Sequence, residues 1–151
     1  MPLFSFILYS RSLLLYFIVV CLVKIAWRDA STQKISDRSV LILGMLSIVK
    51  IILYAEPPGK GVAGFFAVSL PMLILCVYVK GAFGGGDVKL MAAGGILFGT
   101  YGIWKVFCMG VLLSGGYVLC LLLCRKANVK TKIAMGPFFC VAMVMSLNLF
   151  F

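Results

Sequence analysis

The sequence predicts an all-α protein that is embedded in a membrane and crosses it about six times. Two observations lead to this prediction. Of the 151 residues, 64% are hydrophobic and only 12% are charged, and a soluble protein of that composition would expose large apolar patches. The apolar residues are also gathered into long runs, and a helix needs about 20 of them to cross the hydrocarbon core of a bilayer. We expect a single membrane-embedded domain over residues 1–151.

The expected spans follow one another with short connections. The first covers residues 3–26, and because no convincing small-residue cleavage site follows it, we interpret it as a retained span rather than a signal peptide. The others are expected at residues 40–54, 62–79, 90–98, 106–124 and 133–151. Segment 87–102 is shorter than a full crossing, so we expect it to start within the membrane on irregular backbone, and five spans are the alternative.

Glycine and proline mark the connections between these runs. Residues 56–61 contain two prolines and two glycines, which predicts a loop between the second and third spans, and residues 99–102 separate the fourth from the fifth. Gly95 and Gly99 are four residues apart, and small residues at that spacing let another helix pack closely. That helix is either an apolar substrate or a neighbour within this chain.

The basic residues predict the orientation in the membrane. The formal net charge is +10, and the cations fall mostly in short segments between the apolar runs. We assign ten of them to one side and four to the other, and the positive-inside rule then places the richer side in the cytoplasm and both termini outside. This distribution predicts contact with a lipid bilayer rather than with nucleic acid. The richer side holds Lys24, Arg28, Lys34, Arg38, Lys80, Lys89, Arg125, Lys126, Lys130 and Lys132, and the poorer side holds Arg11, Lys50, Lys60 and Lys105.

The composition excludes several kinds of chemistry. The chain contains no histidine, which removes Ser-His and Cys-His catalysis and histidine-based zinc proteases. Its six cysteines form no C-x-x-C pair, so neither a zinc knuckle nor a redox pair is indicated, and packing is the expected role of the thiols. We therefore predict no metal site and no cofactor.

Two of the four carboxylates are candidates for catalysis. Asp29 follows the first span and Asp87 precedes the fourth, so the expected topology brings both to the cytoplasmic face. A charged carboxylate at the centre of a membrane helix costs roughly 2.5–3.5 kcal/mol on insertion scales, which makes an acid at the edge of a span a functional candidate. Two carboxylates brought close share a proton, so that one activates a water while the other donates a proton, as in aspartic proteases.

Structural roles for the same acids are the alternatives. Asp29 would then pair with Arg28, Lys24 or Lys34, and Asp87 would cap the next helix. Of the two remaining acids, Asp37 is expected to be a solvated charge or a helix N-cap, and Glu56 a loop charge on the opposite side. Residues 84–86 are three consecutive glycines, which either form a plain turn or supply a positive φ or a close approach beside Asp87.

Three segments carry a resemblance to a known family. The run Gly-Gly-Gly-Asp at residues 84–87 fits the G-x-G-D signature of intramembrane aspartyl proteases, and its extension Val-Lys-Leu resembles the version found in type IV prepilin peptidases. Residues 29–37 resemble the first motif of that family, an Asp, a polar basic run and then Ile-Pro-Asn, with Ser36 and Asp37 standing where Pro-Asn is usual. Residues 135–138, Met-Gly-Pro-Phe, resemble the Gly-Pro-Phe entry to the last span.

The resemblance implies a function and a set of site residues. The function would be a membrane aspartyl endopeptidase that removes the short basic leader from type IV prepilins or type II secretion pseudopilins, at the cytoplasmic face of the bacterial inner membrane. Larger members carry an insertion with two C-x-x-C pairs beside a methyltransferase activity, so this chain resembles the short, peptidase-only form. The alternatives are a small proton or cation transporter and a catalytically silent membrane subunit. The implied catalytic residues are Asp29 and Asp87, and the implied active-site loop comprises Gly84, Gly85, Gly86 and Lys89.

Overall fold

A computed structural model describes residues 2–79, 83–124 and 134–150, with side chains from residue 9 to residue 147. Within these ranges the chain is helical and contains no strand, so the predicted all-α class is confirmed. Five of the predicted cytoplasmic cations, Lys80, Arg125, Lys126, Lys130 and Lys132, lie outside the described residues. The helices are α1 Pro2–Thr32, α2 Asp37–Leu53, α3 Pro58–Tyr78, α4 Gly85–Leu123 and α5 Gly136–Phe150.

The predicted count of six spans is not confirmed. Among the described residues, three helices are long and apolar enough to cross a membrane: Tyr9–Thr32, Pro58–Tyr78 and Gly85–Leu123. Helix α2 has 17 residues and α5 has 15, which correspond to lengths of about 26 and 22 Å at the helical rise. Many large apolar side chains on α1 to α4 point outward and are exposed, as in a protein surrounded by lipid.

Helix α4 is not a straight rod, because the chain folds back at Gly99. This glycine has φ 69° and ψ −177°, a conformation that ends the regular helix. Phe83 and Phe107 lie on either side of the break, and a straight helix would separate them by about 36 Å. Their ring centroids are 6.2 Å apart. We therefore treat residues 85–98 as α4a and residues 100–123 as α4b, which correspond to the fourth and fifth predicted runs.

The contacts of α5 show that α4a and α4b run in opposite directions. Gly94 of α4a lies against Met143, well along α5, while Gly110 of α4b lies against Phe139, near its start. The ring of Tyr117, further along α4b, is 5.3 Å from that of Phe138. The end of α4b therefore returns to the level at which α4a begins.

The fold consequently has two distinct ends. The end of α1 and the starts of α2, α4a and α5 meet around Asp29 and Asp87, and we call this the aspartate end. The end of α2, the start of α3 and the Gly99 turn lie at the opposite end, which we call the break end. The core between them is filled by nearly inaccessible side chains, including Ile18, Leu22, Leu43, Met72, Leu90, Met91, Leu97, Ile103, Phe139 and Met143.

Glycines bring α3 and α4a into backbone contact. A Cβ added to Gly95 would overlap the carbonyl group of Gly64, and one added to Gly64 would come within 2.9 Å of the backbone of Gly99. The spacing of Gly95 and Gly99 thus serves packing within the chain, the second of the two predicted alternatives. This contact holds α4a, which carries Asp87, firmly against α3.

Candidate active site

The structure brings Asp29 and Asp87 together at the aspartate end. Asp29 lies near the end of α1 and is 4% exposed, while Asp87 lies in the first turn of α4 and is 8% exposed. Each carboxylate lies within the range at which the charge of the other acts on it. Since burial and mutual repulsion both disfavour two negative charges at one place, this arrangement favours a pair that shares one proton.

Asp29 is held by the start of α5. Its carboxylate accepts a hydrogen bond from the backbone amide of Gly136. A Cβ at residue 136 would collide with the Asp29 carboxylate, with 2.9 Å to its Cγ, so only glycine permits this approach. The amides at a helix start also carry a partial positive charge that suits a carboxylate. Gly136 is a site residue that the sequence analysis did not identify, although the Gly-Pro-Phe match pointed to its segment.

Asp87 caps the helix on which it lies. Its Oδ2 accepts a hydrogen bond of 3.3 Å from the amide of Gly84, which is the N-cap residue of α4. The predicted capping alternative is therefore realised, and it coexists with the contact to Asp29. The carboxylate of Asp87 therefore caps the start of α4 and is also one of the two buried acids, Asp29 and Asp87, that we call the acid pair.

The predicted active-site loop is helix for most of its length. Because Asp87 supplies the cap, α4 begins at Gly85, and Gly85, Gly86 and Lys89 lie in its first turns rather than in a loop. Gly84 has φ −73°, and among the described glycines only Gly99 has a positive φ. A positive φ, one of the roles expected for residues 84–86, is therefore not found at these glycines, and the alternative of a close approach is left.

Space, not backbone conformation, explains the glycines beside Asp87. A Cβ on Gly86 would lie 2.9 Å from Cβ of Ile35, and one on Gly84 would lie 3.1 Å from Oδ2 of Asp87. A Cβ on Gly85 would meet nothing within 4 Å. The outer two glycines are thus close-approach positions, and the middle one is open.

Ile35 joins the three segments of the site. This residue lies in the linker between α1 and α2, and its side chain packs over Gly86 of α4. Its Cδ1 also lies 3.2 Å from the position that a Cβ on Gly136 would occupy. Nothing in the sequence assigns Ile35 a role of its own. Its position as the residue between the basic run and Ser36 was the available signal.

Lys89 points away from the acid pair and binds Asp37 instead. The Nζ–Oδ1 distance is 2.8 Å, and the side chains are 58% and 68% exposed. Asp37 lies in the first turn of α2, so this ion pair joins the starts of α2 and α4. Exposed ion pairs of this kind contribute only about 0–1 kcal/mol to stability. Lys89 is therefore near the site but not within it.

Among the described residues, neither acid of the pair forms a salt bridge with a lysine or an arginine. In the part of the chain that the structure describes, the ion pairs are Lys50 with Glu56 and Lys89 with Asp37, and neither includes Asp29. Two buried thiols lie nearby, Cys140 and Cys21, and the thiol of Cys21 donates to the carbonyl of Ser39. Over the same described ranges, no group of three or more potential ligands could hold a metal ion.

The comparisons with known proteins point to one family. A family model described as "Type IV leader peptidase family" matches residues 16–150, a range that includes Asp29, Asp87 and Gly136. Searches of curated proteins and of solved structures found no match.

Proposed function

Because the chain belongs to the type IV leader peptidase family, we propose that it is a membrane aspartyl endopeptidase that removes the short basic leader from type IV prepilins or type II secretion pseudopilins. The observation that carries this proposal is the buried pair of Asp29 and Asp87. In a chain without histidine, two carboxylates that share a proton are sufficient for peptide hydrolysis.

In the proposed reaction the two acids act as a unit. The ionised carboxylate takes a proton from a water molecule, whose oxygen attacks the carbonyl carbon of the scissile bond. The protonated partner then gives its proton to the leaving nitrogen, so that the carbon–nitrogen bond breaks and the pair has exchanged roles. The amides of Gly136 and Gly84 hold the two carboxylates in place while this exchange occurs.

The location of the site supports a cytoplasmic reaction. The exposed cations Arg28 and Lys89 lie on helices whose ends form the aspartate end. By the positive-inside rule this end faces the cytoplasm. The proposed substrate therefore presents its basic leader at that face, with cleavage after a glycine that precedes its apolar helix, as the family resemblance implies.

The connection between α1 and α2 supports a peptidase without methyltransferase activity. Only residues 33–36 separate these helices, and they include no cysteine. The insertion with two C-x-x-C pairs that accompanies methylation in larger members is thus missing here. We propose leader removal as the single reaction.

The direct test uses purified protein and a synthetic prepilin. The detergent-solubilised chain is mixed with a prepilin peptide that contains the leader and the apolar helix, and the products are identified by mass spectrometry. We expect a leader-sized fragment and a mature N-terminus. The matched control is Asp87→Asn, prepared in the same way, which should release neither. If the two preparations gave equal product, or the unaltered protein gave none, the transporter and silent-subunit alternatives would replace this proposal.

A further inference from the structure

A second buried charge lies far from the acid pair, at the break end. Lys50, near the end of α2, is only 5% exposed, and its ammonium group forms an ion pair with Glu56 at 3.2 Å. The same ammonium donates a hydrogen bond of 3.0 Å to the backbone carbonyl of Leu97. The mechanism proposed above does not use this lysine, although burying a lysine is costly unless it is paired.

The carbonyl that Lys50 binds lies at the interrupted end of α4a. Gly99 breaks the helix two residues after Leu97, and the last carbonyls of a helical segment have no partner within that segment. A cation is also favoured at this place by the helix dipole. Lys50 therefore supplies, from α2, the cap that the sequence of α4a does not supply for itself.

Helix α2 holds α4a along its whole length. Asp37 binds Lys89 at the aspartate end, the hydroxyl of Ser47 is 3.4 Å from the carbonyl of Ala93, and Lys50 binds Leu97 at the break end. Of the charged contacts, only the one made by Lys50 is buried. Asp87 and Leu97 are joined by continuous helix of about 15 Å, so a displacement at Leu97 is transmitted along the axis to Asp87.

We propose that Lys50 is a positioning residue for peptide cleavage, which fixes the axial position of α4a and so the distance of Asp87 from Asp29. This inference rests on the proposed function. It predicts a larger effect on kcat from the remote, buried Lys50 than from the exposed ion pair of Lys89 and Asp37. That ion pair lies closer to the acids, but water screens it.

The experiment compares steady-state cleavage of the synthetic prepilin by purified variants. For Lys50→Met we expect kcat to fall by about tenfold to 100-fold, the scale on which a shift of roughly 1 Å affects catalysis, with KM nearly unchanged. Lys50→Arg, which keeps a donor and a charge, should recover most of kcat. The matched control is Lys60→Met, which alters an exposed lysine at the same end and should leave kcat unchanged.

A second variant separates positioning from folding. The double change Lys50→Met with Glu56→Gln leaves no unpaired acid and should show the same fall in kcat, with a thermal unfolding midpoint well above the assay temperature. A kcat equal to that of the unaltered protein in either variant, or an equal loss in Lys50→Arg, would overturn the inference. Failure of both Met variants to accumulate, while Lys50→Arg accumulates normally, would assign Lys50 to folding and overturn it as well. If the unaltered protein cleaves nothing, the proposed function fails instead.

Discussion

Each of the two buried carboxylates accepts a hydrogen bond from a glycine amide at the start of a helix. Gly136 donates to Asp29 and Gly84 donates to Asp87. In the first case a side chain at the donor would collide with the acid, so the glycine is required by space. The acids are therefore oriented by backbone groups that cannot rotate away.

Removing the charge of either acid should abolish cleavage without unfolding the protein. Asparagine keeps the shape of aspartate and still accepts the glycine amide, but it cannot exchange a proton. We therefore expect Asp29→Asn and Asp87→Asn to accumulate normally and to lower processing by at least about 100-fold, the lower range for general acid–base catalysis. The measurement is the ratio of precursor to mature pilin at matched enzyme abundance.

The other two acids provide the comparison. Asp37 is mostly exposed and Glu56 is partly exposed, and both lie in ion pairs outside the acid pair. Asp37→Asn and Glu56→Gln should each retain substantial activity. Full processing by Asp29→Asn or by Asp87→Asn would remove the catalytic assignment, whatever these controls show.

Chelators and serine-directed reagents should leave cleavage unchanged. A two-carboxylate mechanism needs neither a metal ion nor an activated hydroxyl, and the chain has no histidine to activate one. The measurement is cleavage of the synthetic prepilin after incubation with EDTA or with a fluorophosphonate. A loss with EDTA that added zinc restores would refute the mechanism.

The sequence was sufficient to predict that Asp29 and Asp87 lie at the same end of the helices, but not which residues hold them there. Asp29 and Asp87 can be identified as candidate site residues because a carboxylate at the edge of a membrane span is energetically costly. Ile35 cannot, since an aliphatic residue in a linker has many possible neighbours. The partnership of Lys50 with Leu97 was also beyond the sequence, because it depends on which carbonyl the break at Gly99 exposes.

Helix α4 shows how one element can be predicted correctly in outline and wrongly in detail. The glycines at 99 and 102 were recognised as a separation between two apolar runs, and the structure places the turn at Gly99. The three glycines before Asp87 were expected to be irregular for the same compositional reason. Gly84 is extended, but Gly85 and Gly86 are helical because Asp87 caps the start of the helix at Gly84.

Bulk at the outer glycines of this helix should abolish processing for a steric reason. In Gly86→Val the added atoms meet Ile35, and in Gly84→Val they meet the Asp87 carboxylate, so both changes displace the start of α4a. Gly85→Ala faces open space at a helical position that alanine also suits, so we expect a much milder loss of processing from it. The ratio of precursor to mature pilin, at matched abundance, distinguishes the three variants.

A compensating change sharpens this test. If the contact with Ile35 is the cause, Ile35→Gly should restore part of the activity lost in Gly86→Val, because it removes the Cβ of Ile35 that the new side chain would meet. Near-normal processing in both Val variants would show that residues 84–86 form a plain connecting segment and contradict the close-approach explanation.

The fold-back at Gly99 decides how the whole chain is arranged across the membrane. If α4 ran straight, its end would lie far from the start of α5, yet Tyr117 and Phe138 are in contact. With the turn in place, α1 ends and α2, α4a and α5 begin at the same end, which is where both acids lie. The two acids, 58 residues apart in the sequence, meet because the helices between them return the chain to its starting level.

The same arrangement makes the orientation testable with single cysteines. In the proposed orientation, which follows from the positive-inside rule, the aspartate end would face the cytoplasm and the break end would face outward. The labelling experiment starts from a parent variant in which serine replaces the exposed cysteines Cys108, Cys120 and Cys124. Ser31→Cys then places a thiol at the aspartate end on an exposed helical position, and Gly59→Cys places one at the break end, where an added Cβ meets nothing within 4 Å.

We expect a membrane-impermeant maleimide to label Gly59→Cys in intact spheroplasts and Ser31→Cys only after the membrane is opened. The reason is that Ser31 lies two residues from Asp29 in α1, so its accessibility reports the side on which the acid pair meets its substrate. The parent without exposed thiols should remain unlabelled in both conditions. Labelling of Ser31→Cys in sealed spheroplasts would place the acids outside the cytoplasm, where a leader held on the cytoplasmic side could not reach them. The peptidase would then need a substrate of different topology, even if both acids proved essential.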